Sequence, residues 1–181
     1  MLARPRCGFV LITIAFALLV SDTAAAPPTP NASKMRTTAG VAFVAGDLSF
    51  AVNGNTVQLT ARGVGRSSPC GEVIVAEATW APAIDNVLAL LAGQIDELTI
   101  NTGTFAVEFA EGDAVRGTLS GTIRPRDDGT FGLTANFVAT GGAGAFAGVT
   151  GGGTLHAVDD PTTFEFRAIL HARLAVPKQR I

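Results

Sequence analysis

The residues of this chain that could do chemistry are few, and their spacing forms no recognised catalytic set. His156 and His171 are the only histidines, and both fall on the polar faces of predicted strands, where two ligands alone would make a weak metal site. Cys70 has neither a histidine nor a second cysteine near it in the sequence, so a catalytic cysteine–histidine pair is not indicated. The sequence therefore predicts no metal site and no cofactor, and it leaves the identity of any catalytic residue unknown.

Four residues are candidates for contacts with a small ligand. Glu72 opens a predicted strand and shares its parity with Trp80, so it could lie at a cavity mouth as an acid, a base or a polar anchor. A solvated strand end is the alternative for Glu72, and simple core packing is the alternative for Trp80. Phe131 begins an apolar strand face, and Phe146 is the one large apolar side chain within a glycine-rich run.

That glycine-rich run carries a second pattern with chemical meaning. Residues 142–147 fit the dinucleotide-binding pattern G-x-G-x-x-[GA], which needs a helix directly after it to hold the pyrophosphate. Residues 148–153 cannot sustain a helix, so nucleotide binding is not predicted. The run instead predicts a tight turn or bulge, with the Phe146 side chain plugging the space that the turn covers. The net charge of −2 and the absence of a basic block argue against a nucleic-acid partner.

The body of the chain alternates between apolar and polar residues with a period of two, which predicts half-buried strands. The cleanest patterns cover residues 56–65, 115–124, 130–140 and 163–176. Shorter or less regular patterns cover residues 47–52, 70–80, 104–110 and 153–158. Eight such strands predict an all-β fold, a single closed antiparallel barrel, with a β-sandwich as the main alternative. The apolar faces mix Gly or Ala with Leu or Phe, as a cramped interior requires.

One segment breaks the strand pattern. Residues 83–92 are predicted to form a short helix that ends at Gly93 and lies across one end of the sheet. The apolar residues at helical spacing are Ile84, Val87, Leu88, Leu91 and Ile95. A change of parity after Ile100 predicts a bulge near Gly103. Turns are predicted at residues 111–113 and 127–129.

The N-terminal part has the three-part pattern of an export signal. Two arginines precede an uncharged, mostly apolar stretch at residues 7–20, and small residues follow. We expect residues 1–25 to be a signal peptide, residues 26–38 a flexible linker, and residues 39–181 one barrel domain in a secreted or periplasmic protein. An uncleaved anchor is the alternative, although the apolar stretch is short for a membrane span. Arginine far outnumbers lysine and Ala and Gly are abundant, a composition typical of GC-rich bacteria.

The glycine run and its flanking strands resemble the dirigent and allene oxide cyclase barrel superfamily. The matching residues are Gly141, Gly142, Ala143, Gly144, Phe146 and Gly151, with Ala143 in place of the usual Thr. The resemblance is strongest over residues 115–160 and extends more loosely over residues 40–176. It implies an eight-stranded barrel with an apolar cavity, and members steer the coupling or cyclisation of small apolar intermediates and often associate. No catalytic residues carry over, because this chain has no Tyr and its apolar faces hold hardly any ionisable side chain.

These observations leave more than one function open. The first hypothesis is an exported, bacterial allene-oxide-cyclase-like barrel that binds a small hydrophobic ligand in its interior, with or without steering a cyclisation or coupling. The alternative is a non-catalytic secreted structural or adhesive module with a solid core. An outer-membrane barrel is disfavoured, because one Trp and no Tyr cannot form the aromatic girdles of such barrels. We expect no membrane span after cleavage, we regard a homo-oligomer as compatible with the resemblance, and we leave enzyme status open.

Overall fold

Eight antiparallel strands close into one barrel in the computed structural model, which describes residues 35–177. Each strand pairs with the next along the chain, and the last pairs with the first. The strands are β1 Met35–Asn53, β2 Thr56–Ser68, β3 Gly71–Trp80, β4 Leu98–Phe109, β5 Ala114–Pro125, β6 Phe131–Ala143, β7 Thr150–Asp159 and β8 Glu165–Pro177. The predicted all-β barrel is therefore confirmed, and the sandwich alternative is wrong.

The first strand is much longer than its sequence pattern indicated. It begins at Met35, so residues 35–38 belong to β1 and not to a linker. Met35 pairs with Pro177 at the far end of β8, and the register continues without interruption from there. Small residues dominate the first half of β1 and hide its alternation, which explains why the sequence pattern starts only near Asp47. The predicted signal peptide and the linker up to residue 34 lie outside the described residues.

The apolar side chains of the alternating strands point inward and fill the inside of the barrel. On β6, Leu133 and Phe137 are buried, whereas Thr134 and Asn136 between them are exposed. Aromatic rings from β4 and β6 meet there, with the ring centroids of Phe105 and Phe137 5.1 Å apart. Two small cavities, of about 40 and 60 Å³, lie inside the barrel, and the second reaches the connecting residues of the glycine end. Such volumes hold a few water molecules at most, so side chains fill the centre.

Bulges change which residues of a strand face inward. The register between β4 and β5 shifts between Ile100 and Gly103, which confirms the predicted bulge. A second shift lies between Val73 and Val75 in the pairing of β3 with β4, and it was not predicted. Because an extra residue reverses the parity, Val73 is fully buried while Ile74 is 42% exposed. The prediction that Glu72 shares a face with Trp80 is therefore wrong.

The connections divide the barrel into two ends with different covers. The helix end comprises the connecting residues 54–55, 81–97, 126–130 and 160–164. The glycine end comprises the connecting residues 69–70, 110–113 and 144–149. The helix end carries α1 (Ile84–Leu91), which Ala83 and Ala92 cap as predicted. Two backbone hydrogen bonds fix the start of this helix to the barrel, from Val57 N to Pro82 O (3.0 Å) and from Ile84 N to Asn55 O (2.9 Å).

The glycine end is closed by the run that the sequence predicted to be a turn. Gly144–Phe146 forms a single 3-10 turn, and Gly144 has a φ of +60°, which glycine adopts readily. The carboxylate of Asp113 accepts a hydrogen bond from Ala145 N (2.7 Å) and ties this turn to the neighbouring connection. Phe146 is 6% exposed and its ring centroid lies 5.5 Å from that of Phe109. The predicted plug is confirmed in position.

The close packing of neighbouring strands predicts an unequal response of two glycines to alanine. A Cβ added at Gly117 would overlap the carbonyl oxygen of Val138 and lie 2.7 Å from the ring of Phe105, whereas one added at Gly141 meets nothing within 4 Å. We expect Gly117→Ala to lower the free energy of unfolding by about 1–3 kcal/mol, as overpacking does. Gly141→Ala is the matched control and should stay within about 0.5 kcal/mol in urea denaturation. Equal effects of the two substitutions would contradict this account of the wall.

Candidate ligand site at the helix end

An apolar cavity of about 400 Å³ opens at the helix end of the barrel. Strand residues form one side of this cavity and α1 forms the other. Representative wall residues are Leu48, Leu59, Leu98 and Phe131 from the strands, and Val87 and Leu90 from the helix. The cavity lies beyond the packed centre, where side chains no longer fill the space.

The sequence of α1 explains why the helix covers the cavity without sealing it. Ile84, Val87, Leu88 and Leu91 recur at helical spacing and all line the cavity. Leu88 and Leu91 are nevertheless 56% and 59% exposed, so their side chains stand at an entrance and not in a closed core. Contiguous exposed apolar side chains of this kind are typical of ligand-binding or interaction sites.

Asp159 forms the floor of the cavity. It is the last residue of β7, follows the inward-facing Leu155 and Ala157 at the same parity, and is only 6% exposed. It lines both the cavity at the helix end and the smaller central cavity below it. No hydrogen bond or ion pair reaches its carboxyl group from the residues that the structure describes. Desolvation by burial raises the pKa of Asp159 to about 6.

Trp80 lies at the same boundary between the outer and the central cavity. Its side chain is 3% exposed and lines both spaces. The indole Nε1 is buried and, within residues 35–177, has no hydrogen-bond partner. Buried polar groups are almost always paired, so the two residues with unpaired polar groups that line the same two cavities set this floor apart from the rest of the core.

The rim of the cavity contains one strained residue. Phe164 has a φ of +59°, a conformation that is unfavourable for a bulky side chain. Its carbonyl oxygen accepts a hydrogen bond from Leu48 N (2.7 Å), and its ring centroid lies 5.8 Å from that of Phe50. The strand pattern predicted from residue 163 onwards starts too early. The strand begins at Glu165, and the preceding turn holds Phe164 at the rim, where it is 42% exposed.

The four predicted ligand contacts fall into two separate groups. Trp80 and Phe131 line the cavity at the helix end. Glu72 and Phe146 lie at the glycine end, Glu72 exposed and Phe146 buried in the plug. Ligand contact by any of the four stays a prediction. Sequence reasoning missed Asp159, although its parity with Leu155 places it inward, because an Asp-Asp-Pro sequence is typical of an exposed turn.

Other kinds of site find little support in the described part of the chain. Residues 35–177 contain no group of three or more His, Cys, Asp or Glu side chains that could hold a metal ion. His156 and His171 are both exposed, as the strand parity predicted. Among these residues no helix is long and apolar enough to cross a membrane. Neither of the two small cavities in the centre adds a polar cluster.

A second concave region lies on the outer wall of the barrel. It measures about 800 Å³ and extends over β1, β2 and β6 to β8. Exposed apolar residues such as Phe43, Val64 and Ile169 line it together with polar residues that include Arg66 and His156. It has no buried polar side chain among its lining residues, which distinguishes it from the cavity at the helix end.

Comparisons with known proteins give a limited result. No family model matches the chain, and no curated protein matches it. Among solved structures, the pterocarpan synthase dirigent protein GePTS1 is 10% identical with a TM-score of 0.49, over 87% of this chain and 98% of that chain. At this identity the likeness says nothing about what this chain binds. The eight-stranded barrel expected from the resemblance is present, and membership of the dirigent and allene oxide cyclase superfamily stays a prediction.

The buried carboxyl of Asp159 predicts a pH-dependent gain in stability on its removal. A pKa raised from the ordinary 3.8 to about 6 means that ionisation destabilises the folded state by up to about 3 kcal/mol. The stability associated with the neutral form is complete below pH 3.8 and is lost as the pH rises through about 6. Urea denaturation should therefore show Asp159→Asn to be more stable than the wild type above that pH, with a difference that vanishes in acid.

The neighbouring Asp160 provides a matched control of opposite sign. Its carboxylate accepts hydrogen bonds from Thr162 N (2.8 Å) and Thr163 N (3.3 Å), and these bonds lower its pKa. Asp160→Asn should therefore lose stability at neutral pH and become harmless in acid. A difference for Asp159→Asn that does not change with pH would contradict the burial of an ionisable carboxyl.

Proposed function

We propose that this protein binds a small, predominantly apolar molecule in the cavity at the helix end, with the polar group of that molecule at Asp159. One observation carries the proposal: an apolar cavity of about 400 Å³ whose floor holds a buried carboxyl that the described residues leave unpartnered. Small-molecule sites are typically cavities of about 300–1,000 Å³ with apolar walls and a few convergent polar groups. Both properties occur together at this end of the barrel.

The rim supplies the route of entry. Phe50, Leu88, Leu91 and Phe164 are all more than 40% exposed, and all four line the cavity. Such a rim favours an apolar molecule, because its own side chains lose exposed surface when the ligand enters. The ligand thus gains contacts with the rim as well as with the walls.

The same cavity suits the steering of a cyclisation or coupling. Apolar walls restrict a flexible molecule to a few conformations, and excluding water from a reactive intermediate suppresses side reactions. Asp159 is the one buried titratable side chain on these walls, so it is the residue that could exchange a proton with the ligand. A steering role of this kind requires that the molecule first binds in the cavity.

A structural or adhesive module with a solid core is the second candidate. The packed centre, with cavities of only about 40 and 60 Å³, favours it. The two candidates differ at the helix end, because the cavity of ligand size inside the barrel lies there. A binding measurement therefore separates them.

We also infer export and cleavage, because residues 1–25 have the pattern of a signal peptide. A periplasmic or secreted location follows from that pattern. Intact mass of the mature chain and cell fractionation test it directly, since an uncleaved protein in the cytoplasm contradicts the inference. Homo-oligomerisation stays a prediction from the resemblance, to be measured by sedimentation.

Binding of a neutral dye tests the proposed site. Nile red should bind the wild type with one saturable site and should quench Trp80, the only tryptophan, because that residue lines the cavity. Leu88→Asp should weaken binding about tenfold or more, since burying a leucine side chain contributes about 1.5–3 kcal/mol. Val64→Asp is the matched control, because Val64 is similarly exposed at 62% but lies on the outer wall.

The two variants also locate the dye if the proposal is wrong. Weakening by Val64→Asp alone would move the binding site to the outer wall. Absence of saturable binding to the wild type would favour the module with a solid core. Neither outcome depends on knowing the natural ligand.

A further inference from the structure

None of the described residues that line the two cavities bordered by Asp159 is a cation. Its strand neighbours are Phe131 on β6 and Phe166 on β8, and the walls around it are apolar. Among the residues that line the two cavities it borders, Glu77 in the central cavity is the one other titratable group. An ionised carboxylate buried without a counter-charge is unfavourable, so a cation supplied by a ligand would be stabilised there.

The connecting segments at this end of the barrel carry an excess of acidic residues. The connecting segments of the helix end hold six acidic residues and one basic residue. Glu97 pairs with Arg124 and Asp128 with Arg126, and within residues 35–177 the other acidic residues of these segments form no ion pair. Those four are Asp85, Asp96, Asp127 and Asp160. An excess of one charge at one end of the barrel raises the local concentration of ligands of the opposite charge and lowers that of ligands of the same charge.

We propose that the cavity selects apolar molecules that carry a protonated amine, with the ammonium group at Asp159 and the apolar body between the strand walls and α1. The inference rests on the proposed binding of apolar molecules and adds the charge of the ligand. Asp159 supplies the counter-charge at the floor, and the acidic connecting segments of the helix end favour the approach of cations. The two features act at different distances and point to the same ligand chemistry.

Other polar groups fit the site less well. An alcohol can donate a hydrogen bond to Asp159 but leaves the negative charge uncompensated, whereas an ammonium group donates a hydrogen bond and also supplies the missing counter-charge. A carboxylate ligand meets like charge at both the rim and the floor. The Nε1 of Trp80 has no accessible surface, so it does not decide the charge of the ligand.

A series with one alkyl chain and three head groups tests this inference on the full chain. Decylamine, decanol and decanoate are titrated against the Nile red complex at low ionic strength and neutral pH, below their micelle concentrations. We expect decylamine to displace the dye at about tenfold lower concentration than decanol, with decanoate weakest, because one close charge pair is worth at least one factor of ten.

Two variants assign the preference to its residues. Asp159→Asn should reduce the ratio of amine to alcohol affinity towards one. Glu111→Gln at the glycine end removes an exposed acidic charge remote from the cavity and should leave both affinities unchanged. A measurement on the wild type gives the same information if Asp159→Asn does not fold: the preference for the amine should fall as the pH drops below about 6, where Asp159 becomes protonated.

Each outcome is decisive. Equal or tighter binding of decanol overturns the inference while leaving the proposed function intact. If the preference for the amine persists in Asp159→Asn and in acid, Asp159 does not cause it, and the assignment is overturned. Failure of all three compounds to displace the dye or to bind the free protein contradicts the proposed function itself.

Discussion

Closure of an eight-stranded antiparallel sheet is the constraint on which the rest of this structure depends. A barrel of this size has an interior that side chains just fill, so large inward residues must face small ones across the lumen. Gly117 shows how closely the wall is packed, because a Cβ there would overlap the carbonyl oxygen of Val138 and lie 2.7 Å from the ring of Phe105, its pairing partner on β4. With the centre occupied, the barrel has room for a ligand only at its ends. The location of the candidate site follows from this geometry before any chemistry is considered.

The two ends differ because their connections differ. At the glycine end, a tight turn with positive φ at Gly144 carries Phe146 back into the barrel against Phe109, and Asp113 holds the turn in place. At the helix end, α1 is fixed to the barrel at its start, and its apolar residues border an open cavity. Identical strand architecture thus produces one plugged end and one accessible end.

The sequence predicted those features that depend on local pattern. Period-two alternation gave the barrel, helical spacing gave α1, and the opposite parity of Ile100 indicated the bulge before Gly103. The errors arise where pairing with a neighbouring strand determines the register or the length of a strand. The bulge at Val73–Val75 depends on the register with β4, and the early start of β1 depends on pairing with the end of β8. Asp159 was missed because its residue type suggests a turn, whereas its strand parity places it inside.

Asp159 and Trp80 are best understood together. A barrel selected only for stability would place apolar side chains at both positions, because a buried charge and an unpaired N–H each oppose folding. The described core places its one buried acidic residue and its one orphaned side-chain donor at the same floor. That floor is also where the barrel has space and where its rim exposes apolar side chains. Departures from local optimal packing concentrate at functional sites, and three of them coincide here: the buried carboxyl, the unpaired N–H and the open apolar cavity. Their coincidence favours a ligand-binding barrel over a solid module, since packing alone accounts for none of the three.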